Sequence, residues 1–266
     1  MARYQLTLAY DGADFFGSQR QAKPRTVQGE LEKSLCKLGW TGRSVFMSGR
    51  TDTGVHATGQ VASCDLDWSH TEDELVRALN ALLPADMAVH EARMVSESFH
   101  PRFDATSRLY RYRLFCQSLR HPIRERFAWR IWPEINSELL AGTAELFLGT
   151  YDFFAFGSPT TRKGTTVRTV MKAKWMQACG AKDEWYFEVQ ADAFLYRMVR
   201  RLVFVQVAVA QGKFSADVIV RSLVEQASAG KRSEIPAGLA PAHGLTLIEV
   251  TYPLKGTRPS IESKGQ

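Results

Sequence analysis

Residues 3–10, RYQLTLAY, set the first element of the fold, because apolar and polar side chains alternate along them and Asp11-Gly12 ends the run. A period of two is typical of a strand with one buried face. A helix is predicted next, capped by Thr26 and ended at Gly39. Its apolar face comprises Val27, Leu31, Leu35 and Leu38. The chain therefore opens with a strand and an amphipathic helix.

After this strand and helix, the pattern predicts strands at 45–48, 60–66 and 87–95. A second helix begins after Thr71, which forms a capping box with Glu74, and it runs to Leu83 because Pro84 cannot continue it. The resulting order, β-α-β-β-α-β, is that of a ferredoxin-like unit.

The same order returns in the rest of the chain. Strands are predicted at 107–116, 168–179, 184–192 and 245–252, and helices at 137–148, 194–211 and 215–227. We therefore expect an α/β (α+β) protein with two ferredoxin-like halves, residues 1–105 and 106–266. Each half has an antiparallel-rich sheet with helices on one face, and the halves flank a central basic cleft unless the free sheet faces themselves carry RNA. The tail, 255–266, is polar and is expected to be loose.

The charge pattern favours an anionic partner. The 266 residues carry 34 Lys and Arg against 28 Asp and Glu, a formal net charge of +6. The excess is clustered, because 153–182 contains no acidic residue and 102–130 contains eight arginines against Asp104 and Glu125. Those arginines are Arg102, Arg108, Arg111, Arg113, Arg120, Arg124, Arg126 and Arg130. Surface of one sign attracts polyanions, although a solvated face is the usual role of a single basic run.

Several functional classes are disfavoured by the composition. The cysteines are far apart without C-x-x-C spacing, so they are interpreted as packing residues rather than a disulfide framework or a zinc site. They are Cys36, Cys64, Cys116 and Cys179. The most apolar stretch, 202–210, is too short to span a bilayer, and no signal-like core precedes Asp11. We expect a cytoplasmic protein without a bound metal.

Residues 48–57, SGRTDTGVHA, place Asp52 beside Arg50 in a glycine-rich turn. Asp and Gly are common in any tight turn. Asp-Thr-Gly also occurs in aspartic proteases, but those need two such loops, or one from each subunit of a dimer, in an all-β fold. Arg50 would also oppose the sharing of one proton between two carboxylates. A single oriented carboxylate that a cation keeps ionised can instead act as a nucleophile.

Arg200 and Tyr110 are the other candidate functional residues. Helical geometry places Arg200 on the apolar side of the predicted helix 194–211, so it either pairs with an acid or extends to water as Arg197 and Arg201 are expected to do. Asp52 is the candidate acid. Tyr110 lies on a predicted strand next to basic residues, where its ring is either core or a surface that stacks a base.

The chain resembles the tRNA pseudouridine synthase A family along nearly its whole length. The motifs that carry the resemblance are DGADFFGSQRQ at 11–21, GRTDTGVHATGQV at 49–61, FHPRFDATSRLYRYRL at 99–114, TVRTV at 166–170, DAFLYRMVRRLV at 192–203 and APAHGLTL at 240–247. The second is highly specific, and the others occur in the family's order. One departure is Ser18, which stands where the family pattern has Trp.

The resemblance implies a set of roles. Asp52 matches the essential aspartate, Arg50 an arginine that helps to flip the target nucleotide, and Tyr110 the tyrosine that stacks on the target base. Arg200 matches the arginine paired with the aspartate, and Leu245 an apolar wall of the pocket. The implied reaction converts uridine to pseudouridine at positions 38, 39 and 40 of the tRNA anticodon stem-loop, by a homodimer and without a cofactor, since the product is an isomer. The remaining alternative is a non-catalytic RNA-binding module.

Overall fold

The structure, a computed structural model, describes residues 1–160, 164–224 and 235–253. Its centre is one ten-stranded sheet in which β1 to β10 pair mostly antiparallel. The strands are β1 Ala2–Tyr10, β2 Phe46–Met47, β3 His56–Leu66, β4 Met87–Val95, β5 Ser107–Cys116, β6 Trp129–Ile131, β7 Gly149–Asp152, β8 Val167–Ala178, β9 Ala181–Ala191 and β10 Leu245–Thr251. The predicted α/β class with antiparallel-rich pairing is confirmed.

The first half follows the predicted element order. Its strands lie in the order β4-β1-β3, with β2 also on β3. Helix α1 (Val27–Lys37) begins after Thr26, whose hydroxyl accepts a hydrogen bond from the Gly29 amide. Helix α2 (Glu72–Leu82) begins with the capping box of Thr71 and Glu74. Both caps satisfy amides that the first helical turn leaves without a partner, so the sequence specifies where these helices start.

The second half repeats this arrangement, with strands in the order β10-β5-β9-β8, β7 beside β8, and β6 beside β5. The described helices of this half are α3 (Ser137–Glu145), α4 (Met198–Ala210) and α5 (Asp217–Val224). Helix α4 is almost entirely buried, and its Gln206 accepts a hydrogen bond of 2.8 Å from the indole of Trp175 on β8. That buried polar contact fixes α4 against the sheet.

The two halves share one sheet. Strand β10 pairs with β5 in its own half and, in parallel, with β3 of the other half, through Thr246 with His56 and Leu247 with Ala57. The strands approach closely here, because a Cβ on Gly59 would lie 2.1 Å from the Ile248 carbonyl oxygen. The predicted boundary near Ala105 lies between β4 and β5, and independent folding of the two parts stays a prediction.

One helix start differs from the sequence prediction. We expected a helix from residue 194, but α4 begins at Met198. The preceding residues form a bridge to Ser158, in which the Tyr196 amide donates to the Ser158 carbonyl at 2.9 Å. Arg197 then adopts left-handed backbone angles with φ at 62°, which no helical periodicity reveals.

Other predicted ends shift by smaller amounts. Helix α3 ends at Glu145 rather than at 148, and β2 is only two residues long. Helix α5 is described to Val224, so the predicted continuation to residue 227 and the tail 255–266 lie outside the described residues.

The cysteines are only partly packing residues. All four are free thiols, as expected. Cys64 is buried, but Cys36 and Cys179 are exposed, because Cys36 lies outside the buried face of α1 and Cys179 lies in the turn between β8 and β9. Within the described ranges, none of the helices combines the length and apolarity needed to cross a bilayer.

Candidate active site

A cavity of about 840 Å³ opens between the two halves, beside the loop that joins β2 to β3. Its walls also include the start of α4, the start of β10 and Tyr110 on β5. Of the described lining residues, Asp52 alone is a carboxylate. Six are arginines: Arg50, Arg102, Arg108, Arg168, Arg197 and Arg200. An anionic ligand would therefore enter a strongly positive space that contains one negative charge.

Asp52 is paired across the halves. Its Oδ2 lies 3.0 Å from Nη1 of Arg200, in the first turn of α4. The side chains are 21% and 15% exposed, respectively. Arg200 also donates from Nε to the Ala240 carbonyl at 2.8 Å, which fixes the guanidinium. Of the two orientations left open by the sequence, pairing with Asp52 is the one observed.

Polar contacts to neighbouring segments fix the loop that carries Asp52. The Thr51 amide donates to Oγ of Ser18 at 2.9 Å, and the Ser18 amide donates to the Thr51 carbonyl at 3.1 Å. The Thr51 hydroxyl is 2.8 Å from the Tyr10 hydroxyl. Gln60 accepts from Ser48 at 2.6 Å and donates to the Gly49 carbonyl at 3.1 Å. These contacts position the backbone on the N-terminal side of Asp52.

The loop turns immediately after Asp52. The Val55 amide donates to the Asp52 carbonyl at 3.1 Å, and the intervening Gly54 has a φ of 78°, which favours glycine. The Gly54 amide donates to the Phe15 carbonyl at 3.3 Å. Asp52 thus projects from a tight turn that is tied to the segment after β1.

His56 connects this turn to the second half. Its Nε2 lies 3.1 Å from the His243 carbonyl oxygen, and its Nδ1 accepts from the Gly12 amide at 3.0 Å. Burial lowers the pKa of His56, and the nearby Asp11 carboxylate partly offsets that effect. A neutral ring with its hydrogen on Nε2 satisfies these two contacts, and Nδ1 also lies 3.0 Å from Oδ1 of Asp11.

Tyr110 forms the aromatic part of the cavity wall. It is 9% exposed and packs edge-on against Phe194, with 5.1 Å between the ring centroids and 87° between the planes. On β5 it lies opposite Leu247 of β10. Burial raises the pKa of Tyr110 far above its ordinary value, so its hydroxyl stays protonated.

The cavity brings together all five candidate residues. Arg50 and Asp52 come from the β2–β3 loop, Tyr110 from β5, Arg200 from α4, and Leu245 is the buried first residue of β10. Arg50 is exposed and has no ion pair or hydrogen bond with the described part of the chain. Its guanidinium is therefore available to a ligand.

The eight arginines between residues 102 and 130, which we call the arginine strip, do not form the free basic surface that the sequence predicts. Four of its eight members pair with carboxylates outside residues 102–130, which the local charge count could not show, whereas Arg120 and Arg130 share Glu125 inside that range. Arg111 pairs with Glu188 at 2.5 Å, Arg113 with Glu184 at 2.8 Å, Arg124 with Asp183 at 2.8 Å, Arg126 with Asp11 at 2.7 Å and Arg120 with Glu125 at 3.1 Å. Of the eight, only Arg102 and Arg108 line the cavity.

Arg201 also differs from its prediction. It was expected to extend to water, but it donates to the carbonyls of Gly238 at 2.8 Å and Ile235 at 3.3 Å. Burial lowers its pKa. The reason is that the segment before β10 crosses the solvent side of α4, a tertiary contact that helical periodicity does not contain.

Two positioning residues were missed by the sequence prediction. In the sequence, Ser18 stands out only as a departure from the family pattern, and His56 is only one residue of the motif around Asp52. Their burial and hydrogen bonds depend on contacts over 33 and 187 positions, so no local signal identifies them. Among the described residues, no group of three His, Cys, Asp or Glu side chains could hold a metal ion, and independence from metals and cofactors stays a prediction.

A cavity in an α/β protein that holds one paired carboxylate among several arginines is typical of an enzyme that acts on an anionic substrate. The comparisons with known proteins agree. The sequence model of the family described as tRNA pseudouridine synthase matches residues 7–104 and 143–253. This covers well over half of the chain.

Individual relatives extend the match. The tRNA pseudouridine synthase A of Solidesulfovibrio magneticus is 41% identical over 96% of this chain and 93% of its own. The proteins of the same name from Limosilactobacillus fermentum and Chloroflexus aurantiacus are 36% and 37% identical, over 95% and 100% of this chain and 96% and 95% of theirs. This chain belongs to the tRNA pseudouridine synthase family, and it is an isomerase.

Proposed function

We propose that the protein isomerises uridine to pseudouridine at positions 38, 39 and 40 of the tRNA anticodon stem-loop, acting in the cytoplasm as a homodimer. The observation that carries the catalytic part is the single Asp52 carboxylate, paired with Arg200 in an arginine-lined cavity beside Tyr110. The positions and the dimer come from the resemblance to the family.

The target base must leave its stack to reach Asp52, because the cavity lies between the halves and its aromatic wall is recessed. In the proposed order, Arg50 holds the gap in the RNA and Tyr110 receives the extruded uracil. The apolar side chain of Leu245 borders the same space. Arg50, Tyr110 and Leu245 therefore act as binding residues rather than as groups that exchange protons.

Asp52 then initiates cleavage of the bond between N1 of the uracil and C1′ of the ribose, either by attack on the sugar or by removal of a sugar proton. The uracil rotates inside the cavity, and its C5 forms the new bond to C1′. The hydrogen on C5 leaves as a proton and N1 gains one, so atoms and charge balance. Arg200 keeps the carboxylate oriented before the bond breaks.

A tritium-release assay tests the proposal. A tRNA transcript labelled with tritium at uracil C5 should lose label to water with the intact protein, and Asp52→Asn should reduce release by at least about 10⁴-fold. Asp67→Asn is the matched control, since Asp67 is 92% exposed and lies outside the cavity. Mapping the product should place pseudouridine at positions 38 to 40.

The rival, a non-catalytic RNA-binding module, predicts a different result. In that case the intact protein and Asp52→Asn would bind tRNA alike and neither would release tritium. Sedimentation of the protein with and without tRNA tests the homodimer separately. RNA affinity should also fall with salt, by about one unit of log-log slope for each phosphate contact made by a cavity arginine.

A further inference from the structure

Three aromatic rings form a short stack at the mouth of the cavity. Phe46 lies on β2, and His100 and Phe103 lie in the segment between β4 and β5. The centroids of Phe46 and His100 are 4.9 Å apart with 46° between the planes, and those of His100 and Phe103 are 4.3 Å apart with 35° between the planes, so successive rings are in tilted contact. All three residues line the cavity that contains Asp52. We call this group the aromatic stack.

The outer members of the aromatic stack are exposed. Phe103 is 75% exposed and Phe46 is 46% exposed. Large apolar side chains kept in water contribute little to folding, so a contiguous exposed group of them at the edge of a cavity marks a binding surface. The aromatic stack is open on the Phe103 side, where another flat ring could continue it.

The segment that carries His100 and Phe103 is held in place before any ligand binds. Nδ1 of His100 accepts from the Arg102 amide at 3.1 Å, and the His100 amide donates to the Asp104 carboxylate at 2.9 Å. The Tyr252 hydroxyl donates to the Pro101 carbonyl at 2.7 Å. A ring fixed in this way costs little conformational entropy when it receives a ligand.

The side chain of Arg102 places a positive charge next to the aromatic stack. The Arg102 guanidinium lies 5.8 Å from the Phe103 ring centroid and donates to the Thr160 hydroxyl at 3.4 Å, and no carboxylate of the described chain pairs with it. An exposed ring beside an unneutralised arginine matches a nucleotide, which offers a flat base and a phosphate, better than an apolar protein segment.

We propose that Phe103, supported by His100 and Phe46, stacks an unpaired base next to the target uridine, while Arg102 contacts its phosphate. This subsite is separate from Tyr110, which is recessed in the wall and receives the target base itself. The proposal rests on the proposed function, because it assigns a second nucleotide of the same RNA to the same cavity. The aromatic stack then holds the flanking strand while the target base is extruded.

Fluorescence of a base analogue tests the stacking. Two anticodon stem-loop RNAs carry 2-aminopurine, one on the 5′ side and one on the 3′ side of the target uridine, and Asp52→Asn keeps them unreacted. Binding should quench one probe by stacking. Phe103→Ala in that background should abolish the quenching and weaken binding about 5-fold to 150-fold. Phe103→Tyr should restore both, whereas Phe103→Leu, which keeps apolarity without a ring, should not.

Phe154→Ala is the matched control, because Phe154 is an exposed phenylalanine outside the cavity and its loss should change neither signal. Since replacement of Phe103 removes no charge, the salt dependence of RNA binding should stay that of Asp52→Asn alone. Arg102→Gln should instead reduce the slope of log affinity against log salt by about one. Thermal unfolding should be unchanged in all Phe103 variants.

The outcomes separate the two proposals. If the Asp52→Asn parent quenches neither probe on binding, or if Phe103→Ala binds and quenches as its parent does, the stacking proposal is wrong, whether or not the intact protein releases tritium. If the intact protein binds the RNAs without releasing tritium, the proposed function fails. Quenching that depends on Phe103 would then still support the subsite as an RNA-binding surface.

Discussion

Nη1 of Arg200 lies 3.0 Å from Oδ2 of Asp52, and this contact joins residues 148 positions apart that belong to different halves of the sheet. The pair is mostly sheltered from water, so each charge depends on the other more than in a surface ion pair. Arg200 is itself fixed by the Ala240 carbonyl. The geometry of the carboxylate is therefore set by an element from the other half of the chain.

Loss of the Arg200 charge should lower activity more than stability. Arg200→Met should reduce the tritium-release rate at saturating RNA by about 10²-fold to 10³-fold, because the carboxylate loses its orienting cation. Arg200→Lys should lose less, since it keeps the charge but not the second contact to Ala240. Unfolding by urea should show a loss of about 1–3 kcal/mol for Arg200→Met, since the pair is partly exposed.

Arg201→Met is the matched control. Arg201 is the next residue on α4, contacts backbone carbonyls and lies outside the cavity, so its loss should cost stability without a comparable loss of rate. If Arg200 acts through Asp52, Arg200→Met should change nothing further in the Asp52→Asn background. Fully additive effects on the rate would contradict that role.

Ser18 should position the catalytic loop. Ser18→Ala removes the acceptor of the buried Thr51 amide, so we expect a loss of about 1–3 kcal/mol in the free energy of unfolding and a lower turnover rate at unchanged RNA affinity. Ser63→Ala is the control, because Ser63 is equally buried but its hydroxyl has no hydrogen-bond partner within the described chain. Equal effects of the two substitutions on turnover would show that Ser18 only packs.

Most of the fold could be predicted because its signals are local. Alternation locates Met87–Val95 and Ser107–Cys116 at the residues observed, and Thr71 with Glu74 fixes the start of α2. The joining of the halves through Thr246 and His56 could not be predicted, because only two residue pairs form it and they are distant in sequence. The late start of α4 depends equally on a tertiary bridge at Ser158.

The residues of the candidate site could likewise be predicted where the signal is local, and not where it depends on tertiary contacts. Short motifs identify Asp52, Arg50 and Tyr110 in the sequence. Arg200 is identified because it places a charge on the apolar face of a helix and so needs a partner. Which arginines remain free for RNA depended on cross-strand pairing, as Arg111 with Glu188 illustrates. The charge count between residues 102 and 130 was correct, but it did not include the acids that β9 brings beside that strip.

Tyr110 should act in RNA binding through its ring. Tyr110→Phe should bind the RNA within about twofold of the parent in the Asp52→Asn background, whereas Tyr110→Leu should weaken binding by about 5-fold to 150-fold, the usual value of one stacked base. Filter binding at fixed salt measures both. Tyr112→Phe provides the comparison on the same strand, since it loses the hydrogen bond to the Pro241 carbonyl and so affects stability but not RNA binding.

Stability should fall on mild acidification because of two histidines, the buried His56 and the half-buried His243. Burial lowers the pKa of His56 and of His243 in the folded protein, so the unfolded chain takes up these protons at a higher pH than the folded chain does. The full contribution is present above the unfolded pKa of about 6.5, and it is lost as the pH falls from there to the folded pKa. Each histidine lowers the free energy of unfolding by at most about 1.4 kcal/mol per pH unit.

Urea unfolding between about pH 8 and pH 5.5 measures this loss, and His56→Gln should make the dependence shallower. His90→Gln is the control, because His90 is exposed on β4 and should leave the slope unchanged. The Asp11 carboxylate lies 3.0 Å from Nδ1 of His56 and raises the pKa of that ring, which limits the lowering caused by burial. The pKa of Asp11 is lowered, against the effect of burial, by Arg126 and the Ala13 amide, so its contribution is lost only at a more acidic pH. An increase in stability on acidification, or an unchanged slope in His56→Gln, would contradict the neutral, buried state of His56 that ties the Asp52 turn to the second half.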